Sequence, residues 1–274
     1  MIKLKLNITC FKDSKWNNFF FKITGEGNSP VGFASGEALV KLIESNGVTK
    51  LLKYNLWRKG LLNGIAATIE LENMVKDINP ETIIDIGSNK GQFIMLIEQL
   101  FSNKIIYSFE PLVEALEIQK RFFNYKKNIF FYNFALGSNP STKEFFITKR
   151  MDSSSFFKIN KIKNKNYEIQ SKKNIQIFTL DEVMVNKEIP KPILLKIDVQ
   201  GYELEVLKGS DKILSKIDYL LIEVTDSEMY INQPISTEII EYLKNKNFHI
   251  IKENVHLKID NTNIVQKDLL FKKK

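Results

Sequence analysis

The 274-residue chain has few of the residues that mark several large classes of protein. It has one cysteine, Cys10, which rules out an internal disulfide and leaves no thiolate cluster for zinc. No apolar run approaches the roughly 20 residues that span a bilayer. The first six residues alternate like a strand and lack the apolar core of a signal peptide. We therefore expect a reduced, cytoplasmic protein without a transmembrane segment.

Several motifs of phosphate-binding proteins and hydrolases are also missing. The chain has no G-x-x-x-x-G-K-[ST] loop, no G-x-G-x-x-G turn and no Ser/His/Asp or zinc-ligand spacing. Hydrolase and metalloprotease functions are therefore excluded, and a nicotinamide dehydrogenase is a minor alternative. The two histidines, His249 and His256, fall on or after the sixth predicted strand, where structural or surface roles are commoner than catalysis.

The net charge of +8 invites a nucleic-acid partner. However, the lysines are spread through strands, loops and tail alike, and they do not alternate with aromatic residues in a stacking pattern. The densest stretch, 158–173, is interpreted as part of a solvated loop or lid over about 150–173. A nucleic-acid partner is therefore not expected from charge alone.

The most informative stretch present is 82–91. Apolar β-branched residues run into Gly87, a short polar turn follows, and Gly91 opens a segment with helical spacing. A strand–glycine turn–helix unit presents main-chain N–H groups to a ligand. The turn lacks the middle glycine of a dinucleotide fingerprint, and Asp85 precedes it, so it better suits a cofactor with no phosphates and a cationic amino-acid tail, such as S-adenosylmethionine.

A second strand after this turn ends on Glu110, roughly 20 residues beyond it, where a carboxylate can bind a ribose diol. The tail of the cofactor would lie over the turn near Asp85. The third strand of the unit ends beside the position expected for the adenine. The predicted cofactor-binding residues from this reasoning are Asp85, Gly87, Ser88, Asn89, Gly91, Glu110, Asn133 and Ala135.

Strands and helices alternate from residue 81 onward, which predicts right-handed crossovers and a mostly parallel, doubly wound α/β sheet with a closing antiparallel pair. Residues 1–58 are predicted to be an appendage that caps the site or mediates homodimer contacts, and 59–274 the main domain. The predicted appendage has a hairpin of 2–8 with 19–23 and a helix over 36–44. The main elements are a helix over 61–78, strands over 82–86, 104–109, 129–135, 143–148, 175–178, 193–198, 217–224, 248–252 and 263–271, and helices over 90–101, 112–124 and 236–246.

Acidic residues are predicted at the same end of the later strands. Asp198 ends the predicted buried strand over 193–198, and Glu223 lies near the end of the next one; Glu203 follows the glycine turn after Asp198. A carboxylate there can orient a hydroxyl, act as a base or hold a metal. Asp198 is the first choice for the base and Glu203 or Glu223 the second. Mg²⁺ bound between two such carboxylates is an alternative, although no metal site is predicted.

These motifs resemble those of the FkbM family of S-adenosylmethionine-dependent methyltransferases, over about residues 60–250. The matching segments are 84–92, 109–111, 135–137, 179–181, 195–209 and 222–224. The family pattern often has glutamate where this chain has Gln200. The resemblance adds Pro111 to the cofactor site. It implies a seven-stranded class I methyltransferase fold and O-methylation of a sugar, glycan or natural-product hydroxyl, as in polysaccharide biosynthesis.

Two alternatives stay open. The charge would suit an RNA or other nucleic-acid methyltransferase, but the D/N-P-P-[YF] turn common in base methylation is replaced by Asp198-Val199-Gln200-Gly201. A binding subunit that keeps the fold without catalysis is the other. A small-molecule or glycan acceptor remains the principal expectation.

Overall fold

The computed structural model describes residues 7–12, 19–24, 30–35, 53–160, 168–258 and 265–274. The predicted helix over 36–44 and much of the predicted lid lie outside these ranges. The chain divides into two compact units, one of residues 1–72 with 90–102 and the other of residues 73–89 with 103–274. The predicted boundary between residues 58 and 59 stays a prediction.

The elements of the described ranges, in chain order, are β1 (Asn7–Lys12), β2 (Phe19–Thr24), β3 (Pro30–Ser35), α1 (Asn55–Leu62), α2 (Glu72–Val75), β4 (Thr82–Ile86), α3 (Gln92–Phe101), β5 (Ile105–Phe109), α4 (Val113–Phe122), β6 (Ile129–Tyr132), β7 (Ala135–Leu136), β8 (Ser141–Thr148), β9 (Ile169–Phe178), α5 (Leu180–Met184), β10 (Ile193–Ile197), α6 (Glu203–Lys208), α7 (Asp211–Leu214), β11 (Tyr219–Thr225), α8 (Ser236–Asn245), β12 (Phe248–Lys258) and β13 (Val265–Lys273). Short 3₁₀ turns cover Ile69–Leu71 and Met151–Ser153. Among these helices, none has the length and apolar character needed to cross a bilayer.

The smaller unit contains an antiparallel sheet and two packed helices. The sheet runs β1-β2-β3, so the predicted N-terminal hairpin is present, with its first strand at 7–12 and a third strand added. The buried indole of Trp57 on α1 donates a hydrogen bond to the Met95 carbonyl on α3, at 3.1 Å. Gly60 lets the two helices approach, because a Cβ there would collide with the Met95 side chain.

The predicted helix over 61–78 is wrong. Helix α1 ends at Leu62, and Gly64 takes a left-handed φ of 75°. The N–H groups of Asn63 and Gly64 bond back to carbonyls of the last turn, which is how a glycine terminates a helix. The apolar spacing beyond Gly64 belongs instead to an irregular segment, the 3₁₀ turn and α2.

The larger unit is built on a seven-stranded sheet, counted within the described ranges. Its order is β12-β13-β11-β10-β4-β5-β6. β10, β4, β5, β6 and β11 are mutually parallel, whereas β13 is antiparallel to both of its neighbours. The chain crosses from β6 back to β10, so the strand order reverses between β4 and β10. The doubly wound, mostly parallel sheet with a closing antiparallel pair is confirmed.

The central strands explain this order. All five residues of β4 and all five of β10 are buried, as expected of parallel strands covered on both faces. Side chains from β4, β10 and β11 meet those of α5–α8 in one apolar cluster that includes Ile84, Leu195 and Leu220. Helix α5 begins after Thr179, where Thr179 and Glu182 form a reciprocal capping box.

A second sheet, β7-β9-β8, corrects two strand predictions. The predicted strand over 129–135 is two strands, because β6 ends at Tyr132 and β7 pairs with β9 instead of extending β6. The predicted strand over 175–178 begins at Ile169, and its polar first half pairs with β8. Exposed lysines along β9 hid this strand, since only its last residues face the core.

Gly87, directly after β4, is required by a close main-chain contact. Its φ is 75°, and a Cβ would stand 1.8 Å from the carbonyl oxygen of Asp198, which follows β10. Gly64 has the same φ but no heavy atom within 4 Å of its Cβ position. The two glycines therefore share the left-handed backbone conformation, and they differ in whether a Cβ atom would have room.

We expect Gly87→Ala to lower the free energy of unfolding by about 2–5 kcal/mol, because left-handed strain adds to an unrelieved contact with backbone. The matched variant Gly64→Ala should cost only about 1–2 kcal/mol, from strain alone. Urea unfolding of both variants measures the difference. Equal losses would contradict the contact between the two strand ends.

Candidate active site

The candidate site lies where four parallel strands end side by side. The sheet pairing continues for a residue or two beyond them: Asp198 N–H bonds to Ile86 O at 3.1 Å, Gly87 N–H to Phe109 O at 3.0 Å, and Glu110 N–H to Tyr132 O at 3.1 Å. These bonds set the turns after β4, β5 and β10 at one edge of the sheet. Ligands of open α/β sheets bind at this edge, where the strand order reverses.

Glu110 faces the glycine turn after β4. Its Oε2 accepts the N–H of Asn89 and its Oε1 accepts the N–H of Leu112, each at 2.8 Å. Burial raises the pKa of Glu110 to about 7, although the two N–H groups act in the opposite direction. Each oxygen keeps a second lone pair, so the side chain is fixed and can still accept further hydrogen bonds.

The side chains of Ser88 and Asn89 differ in this turn: Ser88 bonds within the protein, whereas the Asn89 Oδ1 has no partner in the described ranges. The buried Ser88 hydroxyl bonds to Ser108 and to Gln119, each at 2.8 Å, and so points into the protein. Gln119 also donates to the Asn89 carbonyl. Asn89 has a left-handed φ of 48°, and Gly91 caps α3 with a φ of 87°. The Asn89 Oδ1 is buried without a partner in the described ranges.

Asn133 and Ala135, two further predicted cofactor residues, lie in different surroundings. The Asn133 side chain donates to the carbonyls of Glu110 and Pro111, both at 3.0 Å, and so braces the segment after β5. Ala135 lies in β7, buried with Leu112 and Tyr202 in a separate apolar cluster. The structure thus brings Asn133 to Glu110 and Pro111, whereas Ala135 does not continue their sheet.

Lys196 of β10 contacts strand β4, the turn after β4 and the turn after β10. Its Nζ lies 3.3 Å from Asp85 Oδ1 on β4, 3.3 Å from Asp198 Oδ2, and 3.2 Å from the Gly87 carbonyl. Asp85 is fully buried, and burial raises its pKa while Lys196 opposes that shift. Burial alone would lower the pKa of Lys196, but Asp85 and Asp198 outweigh it and raise the pKa.

Gln200 connects Asp198 to Glu223. Its Nε2 donates to Asp198 Oδ1 at 2.9 Å and to Glu223 Oε2 at 3.0 Å. Tyr230 donates to its Oε1 at 2.8 Å, which requires the nitrogen to face the two carboxylates. Gln200 has a left-handed φ of 55°, a strained conformation typical of functional sites.

The start of the predicted lid is attached to this turn. Ser155 donates to the Gln200 carbonyl at 2.6 Å, and Tyr230 is also bonded to the Ser153 carbonyl at 3.1 Å. Asn160 N–H bonds to Met229 O. The segment 153–160 is therefore anchored beside the candidate site.

Glu203 has a different position from the other two predicted catalytic carboxylates. Its Oε1 accepts the N–H groups of Val199 and Gly201, at 3.1 and 3.0 Å, and the residue is almost fully buried. Burial raises the pKa of Glu203 to about 8, against the opposing effect of these N–H groups. Glu203 holds the turn that carries Gln200.

The sequence reasoning missed the partners of Glu223 on the last two strands. His256 Nε2 lies 3.1 Å from Glu223 Oε1, and His256 Nδ1 lies 3.0 Å from Asp268 Oδ2. Burial, the largest cause, and the charge of Asp198 raise the pKa of Glu223 to about 7, while His256 opposes the shift. Burial would lower the pKa of His256, but the two carboxylates raise it to about 10.

The partnership of His256 with Glu223 was missed because the strand that carries His256 was predicted too short. The predicted strand over 248–252 stopped short of His256, whereas β12 runs to Lys258 and pairs with β13, with register shifts at Ile251 and at His256. Ligand-type atoms of Glu223, His256 and Asp268 lie within 4.8 Å of one another, a spacing that a divalent cation can bridge. However, both imidazole nitrogens face carboxylates, and a metal ligand must be unprotonated, which disfavours a metal at this cluster.

A curated relative matches part of the chain. A 96-residue stretch is 29% identical to the hexuronic acid methyltransferase AglP of Haloferax volcanii and covers 32% of this chain and 40% of that protein. The chain thus matches less than half of this curated relative.

Two solved structures are distantly similar to this chain. M. capricolum TrmK, in complex with S-adenosyl-homocysteine, is 16% identical with a TM-score of 0.45, covering 75% of this chain and 68% of that one. Magnesium protoporphyrin IX methyltransferase (ChlM) from Synechocystis PCC 6803, with bound S-adenosylmethionine, is 9% identical with a TM-score of 0.43, covering 87% and 96%.

The family match is more extensive. The model of the methyltransferase FkbM domain matches residues 85–250, from the β4 aspartate to β12, and so includes the glycine turn, Glu110, Lys196 and the Asp198–Gln200 turn. His256 and Asp268 lie beyond the matched residues. The chain belongs to the FkbM methyltransferase family and has the class I methyltransferase fold that its sequence motifs predict.

Proposed function

We propose that the protein is an S-adenosylmethionine-dependent O-methyltransferase that acts on a hydroxyl of a sugar or glycan. Membership of the FkbM methyltransferase family supports methyl transfer, and the partial match to a hexuronic acid methyltransferase supports a carbohydrate acceptor. The observation that carries the proposal is the meeting of Glu110 with the glycine turn at one sheet edge, beside the paired carboxylates Asp198 and Glu223.

The residues present fit the cofactor. Glu110 is held by Asn89 and Leu112 with lone pairs to spare, which suits the two hydroxyls of a ribose. The buried Asn89 Oδ1 lacks a partner in the described ranges and can accept a hydrogen bond from a ligand. S-adenosylmethionine, when bound, supplies an electrophilic methyl group on a sulfonium.

The chain's own residues then bind and orient the acceptor. Methyl transfer between two bound groups depends chiefly on alignment, which can supply about 7–11 kcal/mol of the barrier. A sugar hydroxyl becomes a good nucleophile only as its proton leaves, so a carboxylate that accepts the proton assists. Asp198 and Glu223, bridged by Gln200, can fill these roles, and Glu203 keeps their turn in place.

The carboxylates at this edge of the sheet favour an acceptor that has no anionic group beside its reacting hydroxyl. In the described part of the chain, Glu223 and Asp268 contact one imidazole, and Asp198 shares the Lys196 ammonium with Asp85. An anionic group close to the reacting oxygen would meet repulsion from these carboxylates. A nucleic-acid acceptor therefore gains no support, despite the net charge of +8.

The proposal is tested by isotopically labelled methyl transfer from S-adenosylmethionine to neutral glycans, uronic acid glycosides, natural-product alcohols and RNA, with and without a chelator and Mg²⁺. We expect incorporation into a carbohydrate hydroxyl without added metal. Labelling of RNA alone, or binding of NAD but not S-adenosylmethionine in calorimetry, would contradict the proposal.

Two variants separate binding from chemistry. Asp198→Ala should lower kcat at least about tenfold while the Kd for S-adenosylmethionine changes little, because Asp198 serves the acceptor. Glu110→Ala should weaken cofactor binding at least about tenfold, as a buried charge-assisted acceptor is lost. Glu117→Ala, at an exposed glutamate of α4, is the matched control and should change neither. Loss of cofactor binding in Asp198→Ala, with normal kcat at saturation, would assign Asp198 the wrong role.

A further inference from the structure

We propose that Glu223 is the base that takes the acceptor's proton, and that His256, fixed by Asp268, is a positioning residue that holds Glu223 ready for it. This inference rests on the proposed O-methyltransferase function and deepens it. His256 and Asp268 lie outside the family match, on strands that close the sheet.

The first support is that both oxygens of Glu223 are held from different elements. His256 Nε2 lies 3.1 Å from Oε1, and Gln200 Nε2 donates to Oε2 at 3.0 Å, with Gln266 a further donor at 3.4 Å. A base oriented in this way by a second residue, which is itself oriented by a third, has the arrangement of activated catalytic groups. Oε1, which faces His256 alone among these groups, retains a lone pair for a substrate proton.

The second support is the cross-strand register. Glu223 and Asp268 are directly opposite each other in the β11–β13 pair, and their side chains are only 15% and 11% exposed. Like charges at opposed positions destabilise a sheet. The His256 imidazole lies between these two carboxylates with a nitrogen toward each, which offsets the repulsion only when both nitrogens carry protons.

Other groups around Glu223 act in the same direction as burial. Asp198 approaches from the turn after β10, Asp268 from β13, and Glu203 lies close enough to interact with Glu223. Together with desolvation, the first two raise the pKa of Glu223, and His256 on β12 is the charged group that lowers it. His256 therefore favours the ionised form of Glu223.

Asp198 is less suited to take the proton. Its side chain is 35% exposed, more than twice the exposed fraction of the Glu223 side chain. Desolvated carboxylates with raised pKa values are the ones that act as bases near neutral pH. Asp198 is thus placed to orient the hydroxyl, and Glu223 to receive its proton.

The chemical step balances without a further reactant. The acceptor oxygen forms the new O–C bond as the S–C bond of the donor breaks, and that electron pair stays on the sulfur as a thioether. The hydroxyl proton passes to Glu223, which becomes a neutral carboxylic acid and later returns the proton to solvent. No oxidant, reductant or metal is needed.

The kinetic test is the pH profile of kcat at saturating substrates. Wild-type kcat should rise with pH through about 7, because the base acts in its ionised form. In His256→Gln the cation is lost, the pKa of Glu223 rises by a unit or more, and kcat at pH 7 falls about tenfold but recovers by about pH 9. Glu223→Gln should lose about 100-fold or more and show no such rise.

His249→Gln is the matched control, since His249 lies on the same strand opposite Lys272, and it should leave the profile unchanged. A loss in His256→Gln that is equal at every pH would reduce His256 to a structural residue and overturn the proposal. Near-normal kcat in a folded Glu223→Gln variant would overturn it too. Asp268→Asn repeats the test of the positioning residues if His256→Gln does not fold.

A readout without turnover separates this inference from the proposed function. The chain has two histidines, so the imidazole of His256 is assigned by ¹⁵N NMR of the labelled full chain against His249→Gln. His256 should keep both nitrogens protonated at pH 8, with a titration midpoint lowered by at least about one unit in Glu223→Gln. An unprotonated His256 at pH 8, or a midpoint unaffected by Glu223, would overturn the inference even if methyl transfer is found. A protonated His256 with no transfer to any acceptor would instead contradict the proposed function.

Discussion

The ionic contact of Lys196 with Asp85 and Asp198 is the interaction on which the candidate site depends. A charged lysine and a fully buried aspartate are both costly in a parallel sheet, and each is tolerable only because the other is 3.3 Å away. The same ammonium reaches the Gly87 carbonyl and Asp198. It therefore ties the turn that would hold the cofactor to the turn that would hold the acceptor.

Around this contact, three carboxylates are held in two different ways. Glu110 is fixed by main-chain N–H groups, which suits recognition of a bound molecule. Asp198 and Glu223 are fixed by side chains, through Gln200 and His256, and the pKa of Glu223 depends on the charges around it. A glutamine at position 200 also avoids a third carboxylate between them. The site thereby combines a rigid binding half with a half that can exchange a proton.

Sequence patterns predicted what depends on local order. The apolar strand, Gly87 turn and helix unit placed Glu110 correctly opposite the turn, because parallel strands end at the same edge. Asp198 was predicted at this edge, but the contact of Lys196 with both Asp198 and Asp85 needed the β4–β10 register. His256 lies at a register shift in β12, beyond the end of the predicted strand, and Ala135 follows a turn that moved it into another sheet. Long-range pairing decided those positions, and a single sequence does not report it.

A double-mutant cycle on the unfolding free energy tests the central ionic contact most directly. Lys196→Met should cost about 3–5 kcal/mol at neutral pH, because it leaves Asp85 buried without its cation. Burial raises the pKa of Asp85 and Lys196 opposes that shift; without Lys196 the buried carboxyl takes up a proton more readily, so the loss should shrink as pH falls toward 4. Adding Asp85→Asn should recover most of the stability, giving a strongly non-additive cycle. Additive losses that do not change with pH would show that Lys196 and Asp85 do not stabilise each other.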